Sequence, residues 1–212
     1  MFPPTRNCKI CFKIIKNDDI CHLINEKVDI CGDCQKQMEP KFISFKVGIY
    51  PATAVYEYNQ FIRKLVYQYK GCYDYVLYDV FLECYYHLLK LEYRDYYIIP
   101  IPSYEKDDEE RGFNHVRETY SRLGLKELNI LMKTEKHKQA TSTLKQRHEV
   151  YKALALKQHI DLRHKKVLIV DDIYTTGSTM KSAINLVEKL NPKVIKVLVI
   201  AKTKHKQITN TN

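Results

Sequence analysis

The 212-residue chain is 45% hydrophobic, holds six glycines, seven cysteines and no tryptophan, and has a formal net charge of +10. That composition excludes a disordered polyelectrolyte, and the length is enough to bury one ordinary core with a small appendage. No apolar run approaches the ~20 residues a membrane span needs. The opening "MFPPTRNCKICFKI" has neither an apolar h-region nor a small-residue cleavage site, so the sequence points to a cytoplasmic protein without membrane insertion.

The first zone, residues 1–45, is dominated by two CxxC pairs, Cys8/Cys11 and Cys31/Cys34. In a reducing compartment cysteines at this spacing favour metal over disulfides. Four thiolates brought to one centre suit a structural Zn²⁺ with no open position for substrate, and a segment with little core of its own would gain folding energy from it. A redox CxxC is the competing reading, but it would not need two copies. Cys21 and His22 lie between the pairs and are read as bystanders rather than substitute ligands.

Residues 46–95 read largely as a helical lead-in. "NQFIRKLVYQYKG" has Asn59 as N-cap and Gly71 as terminator. In the next segment, Tyr75 to Leu91, the polar residues Asp79, Glu83, His87 and Lys90 recur at helical spacing, which predicts one solvated stripe on a buried helix. Cys72 and Cys84 read as small core residues. Tyrosine pairs such as Tyr85-Tyr86 and Tyr96-Tyr97 sit in apolar segments and read as core with satisfied hydroxyls rather than as a base-stacking surface.

From residue 96 to 212 short apolar strands alternate with amphipathic helices, the pattern of a parallel α/β sheet. "DYYIIPIPS" is a strand ended by Pro100 and Pro102, "FNHVRETYSRLGL" a helix stopping near Gly124, and "LNILMKT" the next strand. Lys133 to about Leu156 is basic and weakly periodic, a long loop or hairpin. "KVLIV" is a fully buried strand. The helix from Ser178 to Leu190 places Met180, Ala183, Ile184, Val187 and Leu190 on one face, and "KVIKVLVIA" is the last strand. Lys133–Lys166 holds ten basic residues against three acids, and Lys193–Lys206 five lysines and no acid. Such patches serve solubility or an anionic partner. His137, His148, His159 and His164 in this zone lack ligand spacing and read as solvent-facing.

The stretch "KVLIVDDIYTTGST" carries the chemistry. Ligands of open α/β sheets bind beyond the carboxyl ends of the strands, where Asp171 and Asp172 stand. The following helix mouth has unpartnered N–H groups and a partial positive charge. Gly177 lets a ligand approach the backbone, and Thr175, Thr176, Ser178 and Thr179 add hydroxyls. That is a cradle for a phosphate monoester. The carboxylates suit vicinal sugar hydroxyls or Mg²⁺, so the whole fits a phosphorylated sugar. A P-loop is excluded because no Gly-Lys-Ser/Thr follows, and a dinucleotide fingerprint because the spaced glycines are missing. The bland alternative is that the same residues only cap the turn and the helix.

"VLIVDDIYTTGST" resembles the phosphoribosyl pyrophosphate (PRPP) motif of type I phosphoribosyltransferases. With "IIPIPS", "RGFNHVRETYSRLGL", "KQATSTLKQRHE" and the paired CxxC module, nearly the whole chain resembles the ComF family of bacterial competence proteins. The resemblance implies a type I phosphoribosyltransferase-like parallel sheet at 46–212, preceded by a four-cysteine zinc module at 1–45. It implies Asp171 and Asp172 on the ribose hydroxyls, Thr175, Thr176, Gly177, Ser178 and Thr179 on the 5′-phosphate, and Mg²⁺ with PRPP. A pyrophosphate loop would follow the first core strand at Pro102-Ser103. Arg111, in the segment Arg111 to Asn114, and a basic loop with Gln139, Leu144 and Arg147 would close over the site. The family also implies a role in natural transformation, with single-stranded DNA and a competence helicase (ComFA-like) as partners, the latter through the zinc module. An active phosphoribosyltransferase of nucleotide metabolism using Mg-PRPP is the alternative, and a DNA-binding adaptor with a vestigial pocket a third. One departure stands out: "SYEKDDEE", read as a loop, sets five acids against one lysine beside the pyrophosphate position and would repel that anion unless Mg²⁺ intervenes.

Overall fold

The computed structural model describes residues 6–16, 22, 28–134 and 154–204. Its centre is "KVLIVDDIY", a run of β-branched and apolar residues that forms strand β6, Lys166–Tyr174. On one side β6 pairs in parallel with β7, Val194–Lys202, and on the other with β3, Tyr96–Pro100. β7 in turn takes β2, Tyr50–Glu57, in parallel, and an antiparallel edge strand β1, Pro40–Val47, closes the five-stranded order β1-β2-β7-β6-β3. A mostly parallel sheet buried on both faces explains why β6 and β7 read as near-continuous hydrophobic runs. A separate two-stranded sheet pairs β4, Leu131–Lys133, with β5, Leu154–Leu156.

Alternating residues of β6 serve two cores. Val167 and Ile169 point to a layer built by helix α6, Ser178–Glu188, with β4 and β5. Leu168 and Val170 point to a layer containing helix α2, Gln60–Gly71, helix α3, Tyr86–Tyr93, helix α5, His115–Ser121, and the cysteine-bearing segment with helix α1, Gly32–Met38. The buried Cys8, Cys31, Cys34 and Met38 belong to that same core, so the N-terminal segment is packed on the sheet's helical layer.

The parallel α/β zone and the face of α6 agree with the sequence, as does Asn59, whose side chain accepts the Ile62 N–H. Several expectations are corrected. The lead-in is not mainly helical from residue 46, because the β1–β2 hairpin occupies 40–57. Tyr75 to Leu91 is no single helix: it breaks into the 3₁₀ turns Tyr75–Tyr78 and Glu83–Tyr85 and then α3. Its supposed solvated stripe is split, with His87 and Lys90 exposed but Asp79 and Glu83 buried at 2%. Both acids meet cations from distant segments, which spacing alone does not reveal. The "SYEKDDEE" segment is a helix, α4, Glu105–Arg111. "LNILMKT" does supply a short strand, β4, which pairs in the small sheet, while Cys72 is exposed rather than in the core. The Tyr86 hydroxyl is buried without a hydrogen-bond partner among the described residues. His159 and His164 face solvent as expected; Cys21, His137, Gln139, Leu144, Arg147 and His148 lie outside the described residues.

Candidate functional site

β3 ends at Pro100 opposite Val170, and Ile101 donates its N–H to the Val170 carbonyl before the chain turns at Pro102. β6 runs four residues further, held by β7 alone as far as Tyr174 opposite Lys202. Asp171 and Asp172 therefore stand on a strand end whose β3 side is open, the place where open α/β sheets bind ligands.

The two carboxylates have opposite environments. Asp172 Oδ2 accepts from Lys70 Nζ at 3.1 Å and from His115 Nε2 at 3.1 Å, while Oδ1 accepts the Ile173 N–H at 2.6 Å. Burial opposes its charge, but the His115 hydrogen bond and the Lys70 ammonium outweigh burial and hold the carboxyl well below the usual range. Asp171 Oδ1 accepts a short-range bond, from the Asp172 N–H at 2.9 Å. Its own burial and the neighbouring Asp172 charge push it well above the usual range. Together the pair parts readily with one proton and reluctantly with the second.

His115 follows directly on the Arg111–Asn114 segment, and neither it nor Lys70 is marked by any motif in the sequence. The imidazole is 5% exposed and joins both strand ends, because its Nδ1 lies 3.1 Å from Ser103 Oγ. Arg111 Nη1 is 3.3 Å from the same nitrogen. A guanidinium can only donate, so Nδ1 is the unprotonated nitrogen and Nε2 carries the hydrogen that Asp172 accepts. Ser103, His115 and Asp172 do not form a nucleophile relay, since Arg111 competes with the serine for the one lone pair that would take its proton.

Arg111 is placed by α4. Its Nε donates to the Lys70 carbonyl at 3.2 Å and its Nη1 to Asp108 Oδ1 at 2.9 Å. Asp108 also accepts from Asn114 Nδ2, and Asn114 caps α5 by accepting the Arg117 N–H. Glu110 accepts from the Tyr73 hydroxyl. Asp108 and Glu110 are thus engaged in positioning, while Glu105 and Glu109 line a cavity of about 770 Å³ beside Ser103, Phe113 and Lys133.

The candidate phosphate cradle begins where Tyr174 folds over Gly177. Gly177 has φ +75°, and a Cβ built there would meet the Tyr174 hydroxyl at 2.2 Å, so both backbone and packing require glycine. Gly177 is the N-cap of the 11-residue α6 and brings no side chain to satisfy the first N–H groups of that helix. Thr175, Thr176 and Thr179 are exposed, and the Thr176 and Ser178 hydroxyls lie 3.0 Å apart.

The four cysteines converge as their spacing predicts. The Sγ atoms of Cys8, Cys11, Cys31 and Cys34 all lie within 4.8 Å of one another, with Cys11 and Cys31 3.6 Å apart. Phe12 donates its N–H to the Cys8 carbonyl to form a knuckle, and Lys9 N bonds the Asp29 carbonyl, tying the two CxxC pairs together. Burial and the neighbouring thiols push Cys34 well up. Four soft donors gathered where their anionic forms need a cation fit a metal ion. His22, buried with Nε2 3.2 Å from the Val28 carbonyl, is outside this group. The module is joined to the sheet layer by ions: Lys9 Nζ sits 2.9 Å from Asp79 Oδ2, Arg122 Nη1 sits 2.9 Å from the same oxygen, and Glu83 accepts the Asp29 N–H.

A family model described as "Phosphoribosyl transferase domain" matches residues 109–210, which include α5, β6, the cradle and β7. The chain is 28% identical to competence protein ComFC of Streptococcus pneumoniae over 172 residues, 81% of this chain and 74% of that one. The chain is thus similar to competence proteins of the ComF family. Competence protein F of Haemophilus influenzae is 32% identical over 114 residues, half of this chain and 49% of that one. Among solved structures, a purine phosphoribosyltransferase from Pyrococcus horikoshii matches with TM-score 0.36 and 19% identity over 60% of this chain and 83% of its own. Adenine phosphoribosyltransferase from Saccharomyces cerevisiae matches with TM-score 0.36 and 19% identity over 58% of this chain and 68% of its own. The chain combines a segment that matches a phosphoribosyl transferase domain, on a mostly parallel α/β sheet, with a cysteine cluster able to take a metal such as zinc. Among the described residues no helix is long and apolar enough to cross a membrane.

Proposed function

We propose that this protein binds Mg-PRPP at the open end of β6 and acts in the cytoplasm during DNA uptake, with Zn²⁺ in the Cys8/Cys11/Cys31/Cys34 cluster as a structural ion. The observation that carries the reading is the overhang of β6 past β3. It sets an acidic doublet, a helix mouth whose N-cap is glycine and the Ser103 turn around one opening. Asp171 and Asp172 receive the ribose hydroxyls, the backbone of Thr175–Thr179 receives the 5′-phosphate, and Ser103 and Arg111 face the pyrophosphate. Mg²⁺ offsets the repulsion between that group and Glu105 and Glu109. Arg147, in the basic segment, is assigned to closing over the bound ligand.

The role in DNA uptake rests on the names of the two relatives, and binding of single-stranded DNA on the basic stretches 133–166 and 193–206. A competence helicase meets the cysteine module in this scheme. Calorimetry of Mg-PRPP on the wild type and on Asp171→Asn/Asp172→Asn tests the reading. Saturable 1:1 binding that weakens at least about tenfold in the double variant supports it, a loss of ~1.4 kcal/mol or more. A wild type that binds no PRPP removes it. Release of pyrophosphate on addition of a free nucleobase would establish the alternative, an active transferase.

A further inference from the structure

We propose that His115 is a proton-linked positioning residue of the ligand site: neutral in the free protein, its imidazole gains a proton on Nδ1 when a phosphate-bearing ligand engages Ser103. This rests on the PRPP-site reading above and deepens it by assigning how the two strand ends respond to one another.

The geometry leaves the ring little choice. Its backbone carbonyl accepts from Tyr69 Oη at 3.0 Å and Thr119 Oγ1 at 2.9 Å, so the residue is anchored. The groups that face the imidazole are Asp172 with its neighbour Asp171 on β6, Lys70 on α2, Arg111 with its partner Asp108 on α4, and Ser103 beyond β3. In the free protein Nε2–H serves Asp172 and Nδ1 accepts. Burial first, then the Lys70 and Arg111 charges, keep the imidazole below its ordinary proton affinity despite Asp172.

An anion at the Ser103 turn reverses this balance without moving a backbone. It takes the Ser103 O–H as a hydrogen-bond donor and draws the Arg111 Nη1 donor away from Nδ1 onto itself. Nδ1 then has no donor to satisfy it and lies near a new negative charge. One proton enters from solvent onto Nδ1, the N–H donates to Ser103 Oγ, and Ser103 donates onward to the anion. No covalent bond forms or breaks beyond the N–H. The imidazolium keeps its Nε2–H bond to Asp172, now charge-assisted, so anion arrival at one strand end stiffens the carboxylate at the other.

The sign follows from linkage. A ligand that raises a group's proton affinity binds more tightly as pH falls through the bound-state value. Each unit by which pyrophosphate raises the His115 value tightens binding up to about tenfold below both values.

The test is calorimetry of pyrophosphate with Mg²⁺ on the full chain at pH 6–8, in buffers of different ionisation enthalpy, for the wild type and His115→Gln. Glutamine can still donate to Asp172 but cannot titrate. The expected result is proton uptake of up to one per site in the wild type beyond that seen in H115Q, and affinity rising several-fold toward pH 6 relative to H115Q. Comparing the two cancels the titration of pyrophosphate itself. Equal proton uptake and equal pH profiles in two binding-competent proteins overturn the role of His115 and leave the ligand site standing. A wild type that binds neither pyrophosphate nor PRPP overturns both. Should H115Q fail to fold, the His115 ring resonances in the wild type decide: their titration midpoint moves up on adding Mg-pyrophosphate, and an unchanged midpoint overturns the proposal.

Discussion

Lys70 ends α2 with its ammonium 3.1 Å from Asp172 Oδ2, across 102 residues of sequence. The contact sets a cation inside an acidic doublet before any ligand arrives, and it fixes the orientation of one carboxylate rather than both. Removing the ammonium in Lys70→Met strips Asp172 of one charge-assisted bond and leaves His115 and the Ile173 N–H in place. The expected cost is about 1–2 kcal/mol of unfolding free energy near pH 7. In an Asp172→Asn background the same change costs close to nothing, and chemical denaturation of the four-member cycle reads the difference. Additive effects would show that Lys70 acts elsewhere.

Gly177→Ala meets two obstacles at once, a positive φ and the Tyr174 ring in the space a Cβ needs. The variant loses about 1–3 kcal/mol and distorts the Thr175–Thr179 loop. Shrinking the ring in Tyr174→Ala/Gly177→Ala recovers the steric part but not the dihedral part, so the double variant is less destabilised than the sum of the singles. Thermal melts of the three proteins check this.

Burial, with Asp79 beside it, pushes Glu83 up to about 7 from an ordinary value near 4.5. The folded chain therefore holds a proton on Glu83 that the unfolded chain has lost between those two values. Its contribution to stability is greatest below the unfolded value and declines as pH rises toward and through 7. Between pH 6 and 8 the loss is about 1 kcal/mol. Glu83→Gln, which keeps the shape but cannot ionise, flattens that decline. Urea titrations at pH 6, 7 and 8 on both proteins show whether the difference in slope exists.

Metal removal probes the cysteine cluster. The expected result of native mass spectrometry is one Zn²⁺ per chain in the purified protein and none in Cys34→Ser. Because Cys8, Cys31 and Cys34 belong to the same core as α2 and α5, a chelator lowers the melting temperature of the whole chain rather than of a detached segment. Full retention of stability in the chelated protein would place the cluster outside the cooperative unit.

The parts legible in the sequence are those whose chemistry lies in one short segment. The CxxC pairs and the alternation of buried strands each fit within a few turns of chain, and the structure gathers the four thiols and pairs the strands accordingly. What escaped reading depends on distant partners. Asp79 and Glu83 recur at a spacing that signals a solvated face, yet Lys9 and Arg122, 70 and 43 residues from Asp79, arrive and let them sink into the core. Lys70 has the same character in reverse, an ordinary helix-end lysine until β6 is placed beside it. The β1–β2 hairpin is masked by its tyrosine-rich context, although "YPATAVYE" carries the β-branched and aromatic residues that suit a strand. The acidic run at 105–110 looked like a loop opposing an anion, whereas it folds as a helix that uses Asp108 to hold Arg111 toward the site.

The account turns on the overhanging end of β6 as a sugar-phosphate site, and a crystal structure of the full chain with Mg-PRPP tests it most directly. The expected density places the 5′-phosphate on the backbone N–H groups of Thr175–Thr179 and the ribose hydroxyls on Asp171 and Asp172, with the pyrophosphate beside Ser103. A ligand bound elsewhere, with Asp172 still closed on Lys70 and His115 and the α6 mouth empty, would contradict it.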